Sequence, residues 1–215
     1  MKLLSITLTM IFVSFMANAQ SCPDDNHPHA IDLGLPSGTK WACCNVDTDY
    51  PEKQSPTNHG GYYAWGETET KSKYDWSNYI HCDGSKNTCY DIGSDIAGTE
   101  HDVAHVQWGG SWVMPSKEQR DELINNCTYE WTIVNGVNGG KFTSKTNGNS
   151  IFLPAAGRRY VSDFDHVGSR GNYWSSTQYP SGAGSAYSLN FYSGNAYSSY
   201  GTRDHGRSVR PVVTP

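Results

Sequence analysis

The alternation of apolar and polar positions along the chain predicts many short strands joined by long loops. Residues 31–42 alternate weakly around a Pro-Ser-Gly turn, a pattern that predicts two short strands. Residues 62–65 are a further strand candidate, whereas residues 45–61 contain two prolines and a Gly-Gly pair and predict a loop. From residue 67 to residue 98 the chain is polar and rich in turn residues, so the next regular element is expected only beyond it.

A helix is predicted to begin just after Pro115. Ser116 is a suitable N-cap, and Leu123 with Ile124 gives the following turns an apolar side. A second, shorter helix is expected around residues 102–106. Helices are therefore predicted to be a minor part of the fold.

Three apolar runs follow this helix and predict an antiparallel β-meander. They lie at residues 131–134, 140–144 and 150–154. Asn135-Gly136 and Asn147-Gly148 are dipeptides typical of tight hairpin turns. One or two helices combined with many short antiparallel strands and long loops define an α+β domain.

Length and composition agree with a single globular domain. The chain has 215 residues, of which 13% are aromatic and only 17% are charged, which favours a loop-rich β protein over a disordered one. The formal net charge of -5 comes without a basic stripe, so nucleic acid is not an expected partner.

The first 19 residues predict a secretory signal. Lys2 precedes an apolar run, and Ala17-Asn18-Ala19 forms a small-x-small cleavage site; the run is too short for a membrane span. We expect residues 20–30 to be a flexible lead-in and residues 31–215 to form the domain. Lipid anchoring through Cys22 is disfavoured because Gln20 is larger than the small residues usual before an acylated cysteine. The expected location is the periplasm, the cell surface or the medium.

All six cysteines follow the signal segment, and an even number in an oxidising compartment favours disulfides. Cys82 and Cys89 are spaced to close a small loop. The adjacent Cys43 and Cys44 are expected to face opposite ways on a strand. A zinc site is the rival interpretation, but the chain has no Cys-x-x-Cys pair and its histidines are scattered, so no metal ligand is predicted.

Motifs for other chemistries are weak. His101, Asp102 and His105 lack an accompanying nucleophile motif, so structural hydrogen bonding is the favoured role for them. Residues 83–87 lack the spaced acidic ligands of a calcium loop. We therefore expect no catalytic residues, no metal ion, no cofactor and no enzymatic activity.

Residues 171–213 form an unusual segment. It contains six of the fourteen tyrosines, set among serines and glycines, which are the residue types of adaptable binding surfaces. Between residues 179 and 207 there is no Lys, Gln, Glu, Met or Trp, although these types make up 32 of the 215 residues. Nearly every residue type in this run has a codon ending in C, the set that free replacement of both adenines of an AAC codon can reach.

Several short segments within residues 171–213 resemble the fixed parts of the repeat region of variable proteins. Retroelements diversify such proteins by adenine-templated mutagenesis. Residues 32–42 and 108–116 are similar to motifs of a paralogous surface-domain family of Bacteroidota and Fibrobacter. The pieces of the variable-protein resemblance are residues 172–178, 189–191, 193–195, Gly206 and residues 208–212. The resemblance covers about residues 31–213. It implies a C-type-lectin-like fold, with residues 209–213 closing the domain near the first strand.

The resemblance implies that the protein has a diversified recognition surface. This surface would bind a protein or glycan on another cell or on a phage. Strand alternation places Leu189 and Phe191 inward and Ser188 and Tyr192 outward. We expect residues 196–205 to be exposed as well. The predicted ligand-binding residues are Tyr179, Ser181, Tyr187, Ser188, Tyr192, Tyr197, Ser198, Ser199, Tyr200, Arg203, Asp204, His205 and Arg207.

Two alternatives stay open at this point. One is a surface module for adhesion or assembly that has no variable site, and the other, less favoured, is an enzyme acting on glycans. The chain lacks the Glu-Pro-Asn, Gln-Pro-Asp and Trp-Asn-Asp motifs of sugar-binding C-type lectins, which argues against calcium-dependent sugar binding. It also has no cysteine after Cys127, which argues against the formylglycine-forming oxidase that shares the lectin-like fold.

Overall fold

A computed structural model describes residues 27–47 and 54–215 of the chain. The predicted signal segment, Cys22 and the lead-in up to residue 26 lie outside the described residues. Within these ranges the elements, in chain order, are β1 (Ala30–Asp32), β2 (Lys40–Ala42), α1 (Val103–Trp108), α2 (Lys117–Asn126), β3 (Cys127–Val134), β4 (Val137–Ser144), β5 (Ser150–Pro154), β6 (Arg158–Tyr160), β7 (Asp163–Asp165), β8 (Arg170–Gln178), β9 (Ser185–Tyr192), β10 (Asn195–Thr202) and β11 (Val212–Val213).

The strands form four small antiparallel sheets, which confirms the α+β class. Their strand orders are β1-β2-β11, β3-β4-β5, β6-β7 and β10-β9-β8. The predicted meander is the second of these sheets. In the first sheet, Val212 lies opposite Trp41 and Val213 opposite Lys40. The end of the chain therefore closes the domain beside β2, in the same sheet as the first strand.

Both predicted helices are present, and each is capped by its own side chains. Ser116 and Gln119 form a reciprocal capping box at the start of α2. Asp102 is fully buried and caps α1 by accepting hydrogen bonds from the backbone N–H groups of Ala104 and His105. Gly98 and Met114 donate to its other carboxylate oxygen. These four contacts confirm the structural role predicted for Asp102, while burial raises its pKa.

The main core lies where α2 and the β3-β4-β5 sheet meet the β10-β9-β8 sheet. The Phe191 ring is stacked on that of Tyr173 at 5.8 Å and meets the Phe142 ring edge-on at 6.1 Å. Leu123 of α2 and Leu189 of β9 complete this contact, and all five side chains are buried. The inward orientation predicted for Leu189 and Phe191 is therefore confirmed.

The strand predicted at residues 62–65 is wrong. Tyr63 makes a single β-bridge with Arg207, and the Trp65 N–H donates to the Arg203 carbonyl at 2.8 Å. The chain then turns at Gly66, whose φ of +84° favours glycine. Of the aromatic side chains that suggested a strand, Tyr63 and Trp65 are buried in a second core cluster together with Trp174.

The predicted Cys82–Cys89 disulfide is confirmed. It closes the turn-rich loop between the two cysteines, where regular secondary structure is not available to hold the chain. No helix in residues 27–47 and 54–215 has the length and apolar character needed to cross a membrane.

Candidate functional site

The β9–β10 hairpin carries most of the predicted ligand-binding residues. Its two strands are joined by a tight turn at residues 193–194. β10 is the outer strand of its sheet, and no other strand among the described residues pairs with its outer edge. The hairpin is therefore held from one side by β8 and presents β10 to the surroundings.

Three tyrosines of this hairpin are exposed. Tyr200 is 55% exposed, Tyr192 43% and Tyr197 38%, which leaves a large part of each ring available for contact. Ser198 and Ser181 are also exposed, and Ser199, Tyr179 and Tyr187 are partly exposed. The inward neighbour Ala196 is 7% exposed and belongs to the main core.

The exposed tyrosines divide between the two faces of the sheet. Tyr197 lies opposite Asn190, so it shares a face with Tyr192, and the two rings meet edge-on at 6.3 Å. Tyr200 lies opposite Tyr187 on the other face. There it stacks on Tyr179 at a centroid distance of 4.1 Å. The hairpin thus carries a two-tyrosine patch on one face and a three-tyrosine cluster on the other.

The three-tyrosine cluster is joined to α2. The Tyr187 ring meets Tyr179 edge-on at 5.2 Å, and the Lys117 ammonium lies 5.5 Å from its centroid. Lys117 is itself paired with Asp121 at 2.5 Å. The cation and the aromatic neighbours fix Tyr187 in place, so Tyr200 and Tyr179 are the parts of this cluster that face solvent.

Ser188 does not face solvent, and its predicted outward orientation is wrong. Its side chain is fully buried and lies opposite Trp174 of β8. Alternation predicts exposure only when one face of a strand meets water. Here the chain segment after β10 folds back over that face, so both faces of the centre of β9 are covered.

Arg203 is also buried, against the prediction that residues 196–205 are exposed. Its guanidinium stacks on Trp65 at 4.4 Å and donates to the Tyr79 hydroxyl and the Ala183 carbonyl, each at 2.7 Å. A guanidinium held by a ring and two acceptors fastens these loops together. It is not available to a ligand.

Arg207 has the same kind of environment, with Trp174 in place of Trp65. It is 2% exposed, its guanidinium lies 4.4 Å from the Trp174 ring, and it donates to Asn190 at 3.5 Å. Burial lowers its pKa to about 9. Because this side chain is enclosed, the expectation that it offers charge to a ligand is wrong.

Asp204 and His205 complete the charged end of the predicted site. Asp204 is 1% exposed, and desolvation raises its pKa. His205 is partly buried with its ring 4.8 Å from that of Tyr160, and desolvation lowers its pKa to about 4. The expected exposure is therefore wrong for Asp204, and only part of the His205 ring is accessible.

A groove that sequence reasoning missed lies beside Ser181. It has a volume of about 390 Å³ and is lined by residues 181–185 together with Lys86 and Asn87 of the disulfide loop. A Cβ added to Gly184 would lie 2.8 Å from the Lys86 carbonyl oxygen, so the two loops are in close contact there. Exposed Tyr90 lies beyond them on a neighbouring groove. No spacing in the sequence links these loops, since they are about a hundred residues apart.

Metal-ligating side chains come together at a separate place. His27, Cys43 and Cys44 bring their ligand atoms within 4.8 Å of one another. The histidines are scattered along the sequence, which argues against a zinc site. In the structure, however, two of them, His27 and His29, lie against Cys43. The reason is the pairing of β1 with β2, which no local motif reveals.

One family model matches the chain: a domain of unknown function, DUF8237, over residues 130–212. The match runs from β3 into β11 and covers less than half of the chain. It includes the whole β8-β9-β10 sheet. No curated protein and no solved structure matches.

Proposed function

We propose that this chain is an exported binding protein of C-type-lectin-like architecture, whose β9–β10 hairpin is diversified by a retroelement. The observation that carries the proposal is the separation of buried and exposed side chains on the hairpin. Leu189 and Phe191 are buried in the core, while Tyr192 and Tyr197 on the opposite face of the sheet are exposed, as is Tyr200 on the same face as the core residues. Stability then depends on the buried set, and the exposed set is open to replacement.

Recognition in this proposal is non-covalent. Tyrosine rings give contact area at a low cost in conformational entropy, and serine hydroxyls adapt their hydrogen bonds to different partners. Ser198 and Ser199 stand between the two exposed tyrosines of β10 and are suited to that role. The partner is a protein or glycan on another cell or on a phage.

Burial narrows the set of positions that diversification can use. Arg203, Asp204 and Arg207 are enclosed, so their replacement would disturb the loops that they join. Ser188 is excluded for the same reason. The positions left for variation are Tyr179, Ser181, Tyr187, Tyr192, Tyr197, Ser198, Ser199, Tyr200 and His205.

An adhesion or assembly module without variation is the second candidate, and the open edge of β10 favours it. An unpaired strand edge can accept a strand of another chain through backbone hydrogen bonds. Genomic DNA separates the two candidates. Diversification requires a nearby second copy of the codons for residues 171–213 that differs mainly at adenines, together with a reverse transcriptase. Adhesion requires neither.

Replacing Tyr192, Tyr197 and Tyr200 together by Ala tests the recognition surface. We expect the melting temperature to stay within a few degrees of the wild type, because these rings are exposed and lie outside the buried core clusters. Binding to the glycans or cell-surface proteins that the unaltered chain retains on an array should be lost. Ile80→Ala, which removes a 67% exposed side chain outside the hairpin, is the control and should bind normally.

Collapse of the triple variant would mean that these rings are part of the core, and the separation of buried and exposed side chains would then fail. Equal binding by the triple variant and the unaltered chain would remove the hairpin as the recognition surface. Each outcome contradicts a different step of the proposal.

A further inference from the structure

A second candidate site is the cluster of nitrogen and sulfur ligand atoms beside the first sheet. The His27 Nδ1 lies 3.3 Å from the Cys43 Sγ, and the His29 Nδ1 lies 3.8 Å from the same sulfur. The Cys44 Sγ belongs to the same group, since the ligand atoms of His27, Cys43 and Cys44 all lie within 4.8 Å of one another. Two sulfurs and the His27 nitrogen therefore converge, and the His29 nitrogen lies against one of these sulfurs, where it is the candidate fourth ligand.

Strand register produces this convergence. Ala30 at the start of β1 lies opposite Ala42 at the end of β2. The pairing extends one residue further, where the Cys43 N–H donates to the His29 carbonyl at 2.9 Å. His29 and Cys43 therefore face each other, and His27 reaches the same sulfur from two residues earlier.

The expectation that Cys43 and Cys44 point in opposite directions is wrong, because it assumed a continuous strand. β2 ends at Ala42, and both cysteines lie on the bend that follows. Opposite orientation of neighbours holds only for the pleated backbone of a strand. On the bend both side chains are fully buried, on the side where His27 lies.

This ligand set is that of a structural zinc site. Zn²⁺ prefers four tetrahedral ligands drawn from thiolate sulfur and imidazole nitrogen, at bond lengths of about 2.0 to 2.3 Å. Ligand atoms around one such ion lie roughly 3.3 to 3.8 Å apart by that geometry. The two measured separations of 3.3 and 3.8 Å already fall in this range. Soft thiolates disfavour calcium and magnesium, which take oxygen ligands.

We propose that His27, His29, Cys43 and Cys44 bind one Zn²⁺ ion. Binding replaces the two thiol protons by two sulfur–zinc bonds and releases those protons to solvent, while each imidazole contributes a nitrogen lone pair. The ion fastens residues 27–30 to the bend after β2 and so fixes the first strand. This role is independent of the recognition hairpin and of its diversification.

Metal content and cobalt spectroscopy of the exported chain, purified under reducing conditions, test the proposal. We expect one equivalent of bound zinc. Replacement by Co²⁺ should give thiolate-to-cobalt charge-transfer bands and the intense visible bands of a tetrahedral ion. Removing zinc with a chelator should lower the melting temperature, and adding Zn²⁺ should restore it.

Single substitutions assign the ligands. Cys43→Ser and Cys44→Ser should each lose the charge-transfer intensity of one thiolate and bind zinc at least about 100-fold more weakly. His27→Asn and His29→Asn should weaken binding while keeping both thiolate bands. Cys127→Ser is the matched control, since Cys127 is a buried cysteine of the main core, and it should keep the full spectrum.

Two results would overturn the proposal. One is a cobalt spectrum of the unaltered chain without thiolate bands, which decides the question even if a variant fails to fold. The other is protein isolated from its natural compartment that lacks zinc and contains a disulfide from Cys43 or Cys44 to Cys22. Because the hairpin tests do not use metal, failure here leaves the proposed recognition surface standing.

Discussion

Arg120 of α2 lies in an environment that is unusual for a charged side chain. It is fully buried, and none of its three guanidinium nitrogens has a hydrogen-bond partner among the described residues. Its nearest aromatic contact is the Tyr187 ring at 5.9 Å. Burial lowers its pKa to about 10, which reflects the cost of keeping a cation away from water.

Arg120→Met should therefore stabilise the protein, by roughly 1 to 4 kcal/mol, because an apolar chain of similar length fills the space without desolvating a charge. Urea unfolding monitored by circular dichroism measures the change. Arg210→Met is the control: Arg210 is as buried, but it donates to Asn45, Ala42 and Phe152, so its loss should destabilise. Destabilisation by Arg120→Met would indicate that the guanidinium has an acceptor, such as a bound anion.

Gly201 shows why some positions within the predicted variable region cannot vary. A Cβ at Gly201 would lie 1.8 Å from the Arg207 Nη2, so any side chain would displace the guanidinium from Trp174. Gly201→Ala should cost about 1 to 3 kcal/mol through overpacking. Gly182→Ala is the matched control, because nothing lies within 4 Å of the added carbon. Thermal unfolding compares the two; equal stability would contradict the enclosure of Arg207.

Secondary-structure elements are predicted correctly where the residues that specify them are neighbours in the sequence. The hairpin turns and the N-cap of α2 follow from turn dipeptides and from a serine before an apolar helix face, whereas the closing strand is expected from the family resemblance. Short strands such as β6 and β7 have no alternation long enough to detect, since each has three residues. The strand expected at residues 62–65 fails because its aromatic residues are buried by loops rather than by a sheet.

The candidate site is predicted in part for the same reason. Alternation along β9 correctly orients Leu189, Phe191 and Tyr192. It fails at Ser188, because the segment after β10 returns over that face of the sheet, and nothing in the local sequence of β9 records that return. Arg203 and Arg207 are expected to be exposed because the resemblance places them in the variable region, but both are enclosed by contacts between distant loops.

The Cys82–Cys89 loop is an element stabilised by a covalent link rather than by a core. In the chain-entropy account, a loop of this size contributes about 2 to 3 kcal/mol. The double variant Cys82→Ser/Cys89→Ser should lose that amount in urea unfolding, and the groove lined by Lys86 and residues 181–185 should loosen. A reducing agent should lower the stability of the wild type but not of the variant. Identical responses would mean that the link is not formed.

For the whole molecule, desolvated histidines predict a loss of stability in acid. Burial lowers the pKa of His205 to about 4 and also lowers those of His59 and His81, from an ordinary value of 6.5. As the pH falls below 6.5, the unfolded chain takes up protons that the folded chain excludes. The free energy of unfolding should therefore fall between about pH 6.5 and pH 4.

His205→Gln should reduce the dependence of the free energy of unfolding on pH, because it removes the histidine whose pKa is lowered to about 4. The measurement is the free energy of unfolding from urea curves at several pH values in that window. An unchanged slope in the variant would show that His205 is solvated in the folded protein. Asp102 and Asp204, whose pKa values are raised, act in the opposite direction at the lower end of the window.

The pairing of β11 with β2 has a consequence for synthesis. The register joins Lys40 to Val213, so the first sheet needs residues separated by most of the chain. A ribosome that has released only the first two hundred residues holds β2 with an open side and cannot complete this sheet. Folding of the first sheet must therefore wait until residues 212–213 have left the ribosome.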